Sequence, residues 1–297
     1  MTENEFILED RLAVIRDTVQ LIGEEHCYVS LSGGKDSTVV HHLVDMAMPT
    51  NKVKRVYSDT GIEYRAVSEF VKELAKEDER IEIIHPKRNI KKTLETEGYP
   101  FKSKQHSKYV DIYQRLGMTK SVKEYAEQKH DYSAYNCPTV LQYQFSDEFK
   151  LRVSDKCCDF LKKEPIHDWE KGKDIRCKIL GLMASEGGRR ESVQCKTTYS
   201  WGISFSPLAK ITSEWEQWFI DTYNIKLCKL YHPPYNFERT GCKGCPYNLN
   251  LETDLETMRT LMPAEEKQCW VLFRPVYEEY QRIGYRLKKN TQTHLNL

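Results

Sequence analysis

Between Leu31 and Thr38 the chain reads Leu-Ser-Gly-Gly-Lys-Asp-Ser-Thr, and its residue types suit one task, the holding of phosphate. Gly33 and Gly34 let backbone N–H groups come close to an anion, and a helix starting here would aim its positive end at the same spot. Lys35 adds a mobile cation, and Ser32, Ser37 and Thr38 add hydroxyl donors. The spacing is not Gly-x-x-x-x-Gly-Lys-Ser, which excludes the ATPase loop of that pattern. A second candidate lies at Glu186-Gly187-Gly188-Arg189-Arg190, where glycines are followed by two arginines. The planar fork of arginine suits bidentate binding of phosphate or sulfate oxygens.

The cysteines supply a different chemistry. Cys157 and Cys158 are adjacent, and after 83 intervening residues Cys242-Lys243-Gly244-Cys245 forms a Cys-x-x-Cys. Four thiolates can satisfy a [4Fe–4S] cluster. Zinc also accepts four, but usually from two separated Cys-x-x-Cys hooks, so the spacing favours the cluster over zinc. A redox disulfide within Cys242–Cys245 is a further alternative. Cys27, Cys137, Cys177, Cys195, Cys228 and Cys269 show no pattern, and Cys27 and Cys177 fall in strand-like runs expected to be buried.

These groups need elements to carry them. Apolar residues at Ile7, Leu12, Ile15, Val19 and Ile22 predict an amphipathic helix over 5–22. Strands are expected at about 28–32, 52–58, 81–84 and 175–183, with helices after the first, to about Met46, and over 63–77. Strands alternating with helices of this length predict an α/β fold with a doubly wound, mostly parallel sheet, in which ligands bind beyond the carboxyl ends of the strands. The 32–37 turn, Asp59-Thr60-Gly61 and the Glu186–Arg190 stretch all follow predicted strands. Thr212 or Ser213 caps a short helix whose Trp215, Trp218 and Phe219 are expected in the core.

The chain has 297 residues, with 45 Lys+Arg against 44 Asp+Glu, so as a whole it is not a general polyanion binder. No apolar run resembles a signal peptide or approaches the ~20 residues of a membrane span, and ten cysteines without a secretory signal suit a reducing cytoplasm. The expected organisation is a first half of a nucleotide-binding domain (1–86), a basic helical insertion (87–150), a second half with the cluster cysteines (151–246) and a helical tail (247–297). Residues 87–130 hold eleven Lys/Arg against five Asp/Glu, interleaved with Tyr99, Phe101, Tyr109, Tyr113 and Tyr125. This is either a solvated helical insertion or a nucleic-acid surface, with cations on phosphate and rings available for stacking.

The 32–37 turn resembles the PP-loop of the adenine nucleotide alpha-hydrolase superfamily. Together with Asp59-Thr60-Gly61, Cys157-Cys158, the Glu186–Arg190 stretch and Cys242-x-x-Cys245 it is similar to the phosphoadenosine phosphosulfate (PAPS) reductase family. Cluster-bearing members include adenylylsulfate reductases and the ATP-pyrophosphatase component of DNA phosphorothioation systems. The resemblance implies a five-stranded parallel, Rossmann-like sheet, an adenine nucleotide over the strand ends and a [4Fe–4S] cluster near the pocket.

Two departures from the family pattern shape the expected activity. Sulfonucleotide reductases carry a nucleophilic cysteine in a C-terminal Glu-Cys-Gly-x-His motif, whereas residues 290–297 contain no cysteine and Cys269 sits in Lys-Gln-Cys-Trp. Lys35 is retained, which suits neutralisation of a pyrophosphate leaving group. The expected function is therefore an adenylating ATP pyrophosphatase that activates an acceptor for sulfur transfer. ATP (or adenylylsulfate) would be held by Ser32, Gly33, Gly34, Lys35, Asp36, Ser37, Asp59, Thr60, Gly61 and Glu186. Lys35, Asp36, Arg189 and Arg190 would be catalytic, Mg²⁺ would take Asp36 or Asp59, and Cys157, Cys158, Cys242 and Cys245 would hold the cluster. Expected partners are a nucleic-acid acceptor on the basic segment and a sulfur donor such as a cysteine desulfurase. The alternatives are a sulfonucleotide reductase using Cys137 or Cys195 and a non-catalytic nucleotide-binding subunit.

Overall fold

The computed structural model describes residues 1–129, 136–186 and 190–288. The chain divides into two compact units, one of residues 1–59, 63–85 and 165–241, the other of 60–62, 86–164 and 242–297.

The first unit is an α/β sheet sandwich. α1 (Glu3–Ile22) begins with a capping box at Thr2 and Glu5, followed by β1 (Cys27–Ser30), α2 (Lys35–Ala47), β2 (Lys54–Ser58), α3 (Arg65–Glu77) and β3 (Ile81–Ile84). After the second unit's α4 (Ile90–Glu97), α5 (Lys104–Leu116) and α6 (Lys120–Ala126) comes α7 (Glu164–Glu170). The first unit then continues with β4 (Cys177–Leu180), β5 (Lys196–Tyr199), β6 (Gly202–Phe205) and α8 (Ser213–Thr222). The sheet order is β3-β2-β1-β4-β6-β5. Five neighbouring strands are parallel, as the family resemblance implies, and β5 adds an antiparallel edge paired to β6 from Lys196↔Phe205 to Tyr199↔Gly202.

The central register pairs Cys27 with Cys177, and both thiols are buried as their apolar runs predict. β1 is buried along most of its length, whereas β4 alternates, with Cys177 and Ile179 in the core under α1 and α2 and Lys178 part-exposed on the other face. Thr212 caps α8 by accepting the Trp215 N–H at 3.2 Å, and Trp215 and Phe219 enter the core as expected.

The second unit is helical. Its core gathers Phe101, Val110, Val122, Tyr125 and Leu141 with Val276, Tyr277 and Tyr280 of α10 (Pro263–Ile283), which packs against α9 (Leu251–Leu261) and α4. His106 is buried between the Tyr125 hydroxyl, 2.9 Å away, and Gln144 Oε1, 2.7 Å away. Phe101 and Tyr125 are 0% and 1% exposed, and the Tyr109 ring stacks on Tyr125 at 4.4 Å. Phe101 and Tyr125, two of the five interleaved rings, therefore belong to a core and are not available for stacking on a nucleic acid, while Tyr99, Tyr109 and Tyr113 are half-buried. Interleaved aromatics and cations are equally the signature of amphipathic helices wrapped round a core. Among the described residues no helix is long and apolar enough to cross a membrane.

Candidate functional site

The turn after β1 is built by close approach. Gly33 has φ +71°, and a Cβ there would lie 2.7 Å from Val71 Cγ2 and 2.8 Å from Val67 Cγ1 of α3. Gly34 is the N-cap of α2 and brings no side chain to the capping position, while its own N–H donates to Ser32 Oγ at 3.2 Å. On the far side, a Cβ on Gly181, just past β4, would lie 2.8 Å from both Asp36 C and Ser37 N. The start of α2 thus rests directly on backbone at the carboxyl end of β4, where a parallel sheet presents ligands.

Within the turn, Ser32 N donates to Ser37 Oγ at 3.1 Å and the two hydroxyls meet at 2.8 Å. Ser37 and Thr38 hydroxyls donate to Gly34 O at 3.0 and 2.9 Å. These hydroxyls shape the turn rather than standing out as separate donors. The Lys35 N–H donates to the Tyr231 hydroxyl at 3.0 Å, and that hydroxyl pairs with Thr240 Oγ1 at 2.7 Å. Burial pushes the Tyr231 phenol up to about 12, so it stays neutral.

Lys35 Nζ lies 3.1 Å from Glu216 Oε2 on α8. The Glu216 side chain is 1% exposed and also meets the Asp36 carboxyl. Burial and Asp36 push the Glu216 carboxyl up to about 7 against the pull of Lys35. Neither Glu216, Tyr231 nor Thr240 was among the residues expected from sequence. Glu216 sits between Trp215 and Gln217 in a helix read only for its aromatic face, and no motif signals it.

The other expected residues are dispersed. The Asp59 carboxylate at the end of β2 accepts from Ser68 Oγ at 3.0 Å and pairs with Lys72 Nζ at 2.9 Å, both on α3. Thr60 and Gly61 belong to the second unit, where Gly61 has φ +75° and Ile62 O accepts the Lys243 N–H at 2.9 Å. Arg190 is exposed and its carbonyl accepts the Val193 N–H at 2.9 Å. Gly187, Gly188, Arg189 and the Glu186 side chain lie outside the described residues.

Cys157, Cys158, Cys242 and Cys245 all fall in the second unit as free thiols. They act on one another's ionisation. Cys157 is raised by its hydrogen bond to Cys158, by burial and by the charges of Cys158, Cys245 and Cys242. Cys158 is lowered to about 6 by that hydrogen bond and by Lys104 and Lys162, while burial pushes Cys245 up to about 12. A π-helical turn over Asp159–Lys163 follows the adjacent pair. The Cys242–Cys245 turn is pinned from α10: a Cβ at Gly244, φ +62°, would lie 2.6 Å from Cys269 Sγ and from the Tyr277 hydroxyl, which donates to Gly244 O. Lys243 Nζ pairs with Glu265 at 3.2 Å. Four mutually interacting thiols with two ammonium groups beside one of them fit an anionic iron–sulfur centre.

The remaining candidate nucleophiles are differently placed. Cys137 is fully buried and its thiol is pushed up to about 12 by burial, which leaves little thiolate. Cys195 is half-buried, with Arg11 Nη1 3.9 Å from its sulfur. One further grouping, His41, Asp45 and Asp78, has ligand atoms within 4.8 Å of one another. Arg55 and Arg80 already occupy it: Arg55 Nε donates to His41 Nδ1 at 3.1 Å, and Arg80 binds Asp45 and Asp78 at 2.8 and 2.7 Å. With two guanidiniums in place this is an ion-pair network and not a cation site.

Residues 26–132 match the family model of the phosphoadenosine phosphosulfate reductase domain, in agreement with the resemblance carried by the turn. No curated protein matches the chain. Among solved structures, the PAPS reductase of Candida auris in its phosphate complex is similar at 13% identity and TM-score 0.45, over 77% of this chain and 91% of that one. The NH3-dependent NAD synthetase of Campylobacter jejuni is similar at 16% identity and TM-score 0.41, over 94% and 96%. The U34-tRNA thiolase NcsA of Methanococcus maripaludis, which carries a [4Fe-4S] cluster, is similar at 13% identity and TM-score 0.39, over 95% and 80%.

Proposed function

We propose that this chain is an adenylating ATP pyrophosphatase of the PAPS reductase type, which activates an acceptor for sulfur transfer. The observation that carries the reading is the tight Gly33-Gly34 turn that leads from β1 into the N-terminus of α2 and is provided with the ammonium of Lys35. The β- and γ-phosphates would lie on this turn, where backbone N–H groups, the helix dipole and Lys35 all favour negative charge. An acceptor oxygen attacks the α-phosphorus and the bond to the β-phosphate bridging oxygen breaks, its electron pair leaving with pyrophosphate. Lys35 meets the charge that develops on the leaving group, and Arg190, with Arg189, is a candidate for the α-phosphate oxygens. Mg²⁺, when bound, would neutralise the phosphates, and Asp36 is the carboxylate beside the turn suited to hold it. The sulfur nucleophile then displaces AMP from the acceptor.

Cys157, Cys158, Cys242 and Cys245 are proposed as the ligands of a [4Fe–4S] cluster, a group that would supply a sulfur or electron site or brace the fold. A nucleic-acid acceptor remains within the proposal through the exposed Lys91, Lys92, Lys108, Lys120 and Lys123. A sulfonucleotide reductase is the second reading, and Cys195, not buried Cys137, is the thiol it would use. The deciding experiment is ATP–pyrophosphate exchange across candidate acceptors, with Lys35→Ala in parallel. Exchange that falls at least about a hundredfold in the variant supports adenylation. Undiminished exchange in the variant, or adenylylsulfate-dependent sulfite release abolished by Cys195→Ser, would overturn it.

A further inference from the structure

The partner of Lys35 has a consequence for the turn. Glu216 is sealed from water, and a carboxylate in that position is costly without a cation. The charged groups that face it are Lys35 and Asp36, both from α2. Tyr231, from the segment beyond α8, contributes a neutral hydroxyl to the same turn through the Lys35 N–H. One ammonium therefore stands between two acids. Any phosphate that draws Lys35 towards itself draws it away from a buried carboxylate for which Lys35 is the cation among the described residues.

We propose that Glu216 is a positioning residue that competes with bound phosphate for the ammonium of Lys35, and so keeps the turn's hold on pyrophosphate weak enough for it to leave. This rests on the reading that the turn takes the phosphates of a nucleotide. Glu216 need not touch the ligand. It acts through Lys35, holding the ammonium at 3.1 Å and yielding it when phosphate arrives. The device differs from an ordinary surface ion pair, because a water-exposed glutamate would release the lysine at little cost.

The test uses the full chain and inorganic pyrophosphate, titrated by calorimetry at pH 8, above the value of about 7 to which the Glu216 carboxyl is pushed. Glu216→Gln is expected to bind pyrophosphate about tenfold more tightly than the wild type, since a negative charge has been removed from beside the anion site. In ATP–pyrophosphate exchange the same variant should lower both KM for ATP and kcat, the pattern of strengthened ground-state binding. Glu216→Asp, which keeps the charge, should return the pyrophosphate Kd to within about twofold of the wild type. A merely structural role would weaken binding, because a damaged turn holds anions less well. Glu216→Met is a second neutral variant of similar volume, and either neutral variant that folds suffices. Unchanged or weaker pyrophosphate binding in the neutral variant, while Lys35→Ala still loses affinity, overturns the role of Glu216 alone. Equal binding by wild type and Lys35→Ala falls instead on the phosphate reading of the turn and removes this inference with it.

Discussion

The hydroxyl of Tyr231 accepts the backbone N–H of Lys35 at 3.0 Å, so the first amide of α2 is satisfied from a segment almost two hundred residues away. Tyr231→Phe removes that acceptor and the 2.7 Å contact with Thr240. The expected loss is about 1 kcal/mol of stability, because the amide sits at a helix end to which water has partial access. Thermal unfolding of the ligand-free protein measures it as a drop of a few degrees. An unchanged transition would mean that water replaces the phenol fully.

Gly181→Ala tests the support under the turn. Its Cβ would sit 2.8 Å from backbone atoms of Asp36 and Ser37, which cannot swing aside as a side-chain tip would. The expected cost is roughly 1–3 kcal/mol, with at least tenfold weaker ATP binding as α2 is pushed off β4. Equilibrium unfolding and nucleotide titration read the two effects separately. Retained affinity in a destabilised protein would show that the helix start can shift without harm to the site.

Cysteine replacement separates the proposed ligands from the rest. Cys158→Ser or Cys245→Ser should bring iron and labile sulfide of anaerobically purified protein to background. Cys137→Ser, which removes a buried thiol outside the proposed set, should leave both unchanged. Zinc in place of iron in the wild type would favour the alternative metal.

Acid should weaken the fold through two histidines. Burial, with Arg55 beside it, lowers His41 to about 4, and burial lowers His106 to about 3. Both rings bind protons more weakly folded than unfolded, so their stability is present above the ordinary value near 6.5 and drains away as pH falls towards the folded values. Between pH 7 and pH 5 each should remove about 2 kcal/mol, seen as a falling urea midpoint. His106→Asn should flatten that slope, and a midpoint that holds constant to pH 5 would sink the argument.

The parallel architecture was legible because β1, β2, β3 and β4 are short runs rich in Val, Ile, Leu, Tyr and Cys, followed closely by glycine, aspartate or proline, and the 32–37 turn was legible because its chemistry is carried by adjacent residues. Other features were not, for physical reasons. β5 and β6 are only four residues long, β5 in polar sequence, and pairing with each other across a two-residue turn defines them more than composition does. Phe101 and Tyr125 looked like surface rings because their cationic neighbours were visible in the chain, while the α10 side chains that share their core are remote in sequence. Glu216 could not be found at all from periodicity. A buried acid on a core-facing helix position reads as a mismatch until the ammonium opposite it is known.

The pairing of Cys27 with Cys177 also bears on how the molecule is made. β1 is a central strand, yet one of its two neighbours, β4, is synthesised only after most of the second unit has emerged. Until then an N-terminal piece with β1, β2 and β3 in place would offer an open, apolar backbone edge to any passing strand. Such long-range parallel pairing is slow to form and vulnerable while it waits. The nascent chain is therefore expected to need shielding on the ribosome, and arrested chains ending before residue 177 should aggregate where chains extended past β6 do not.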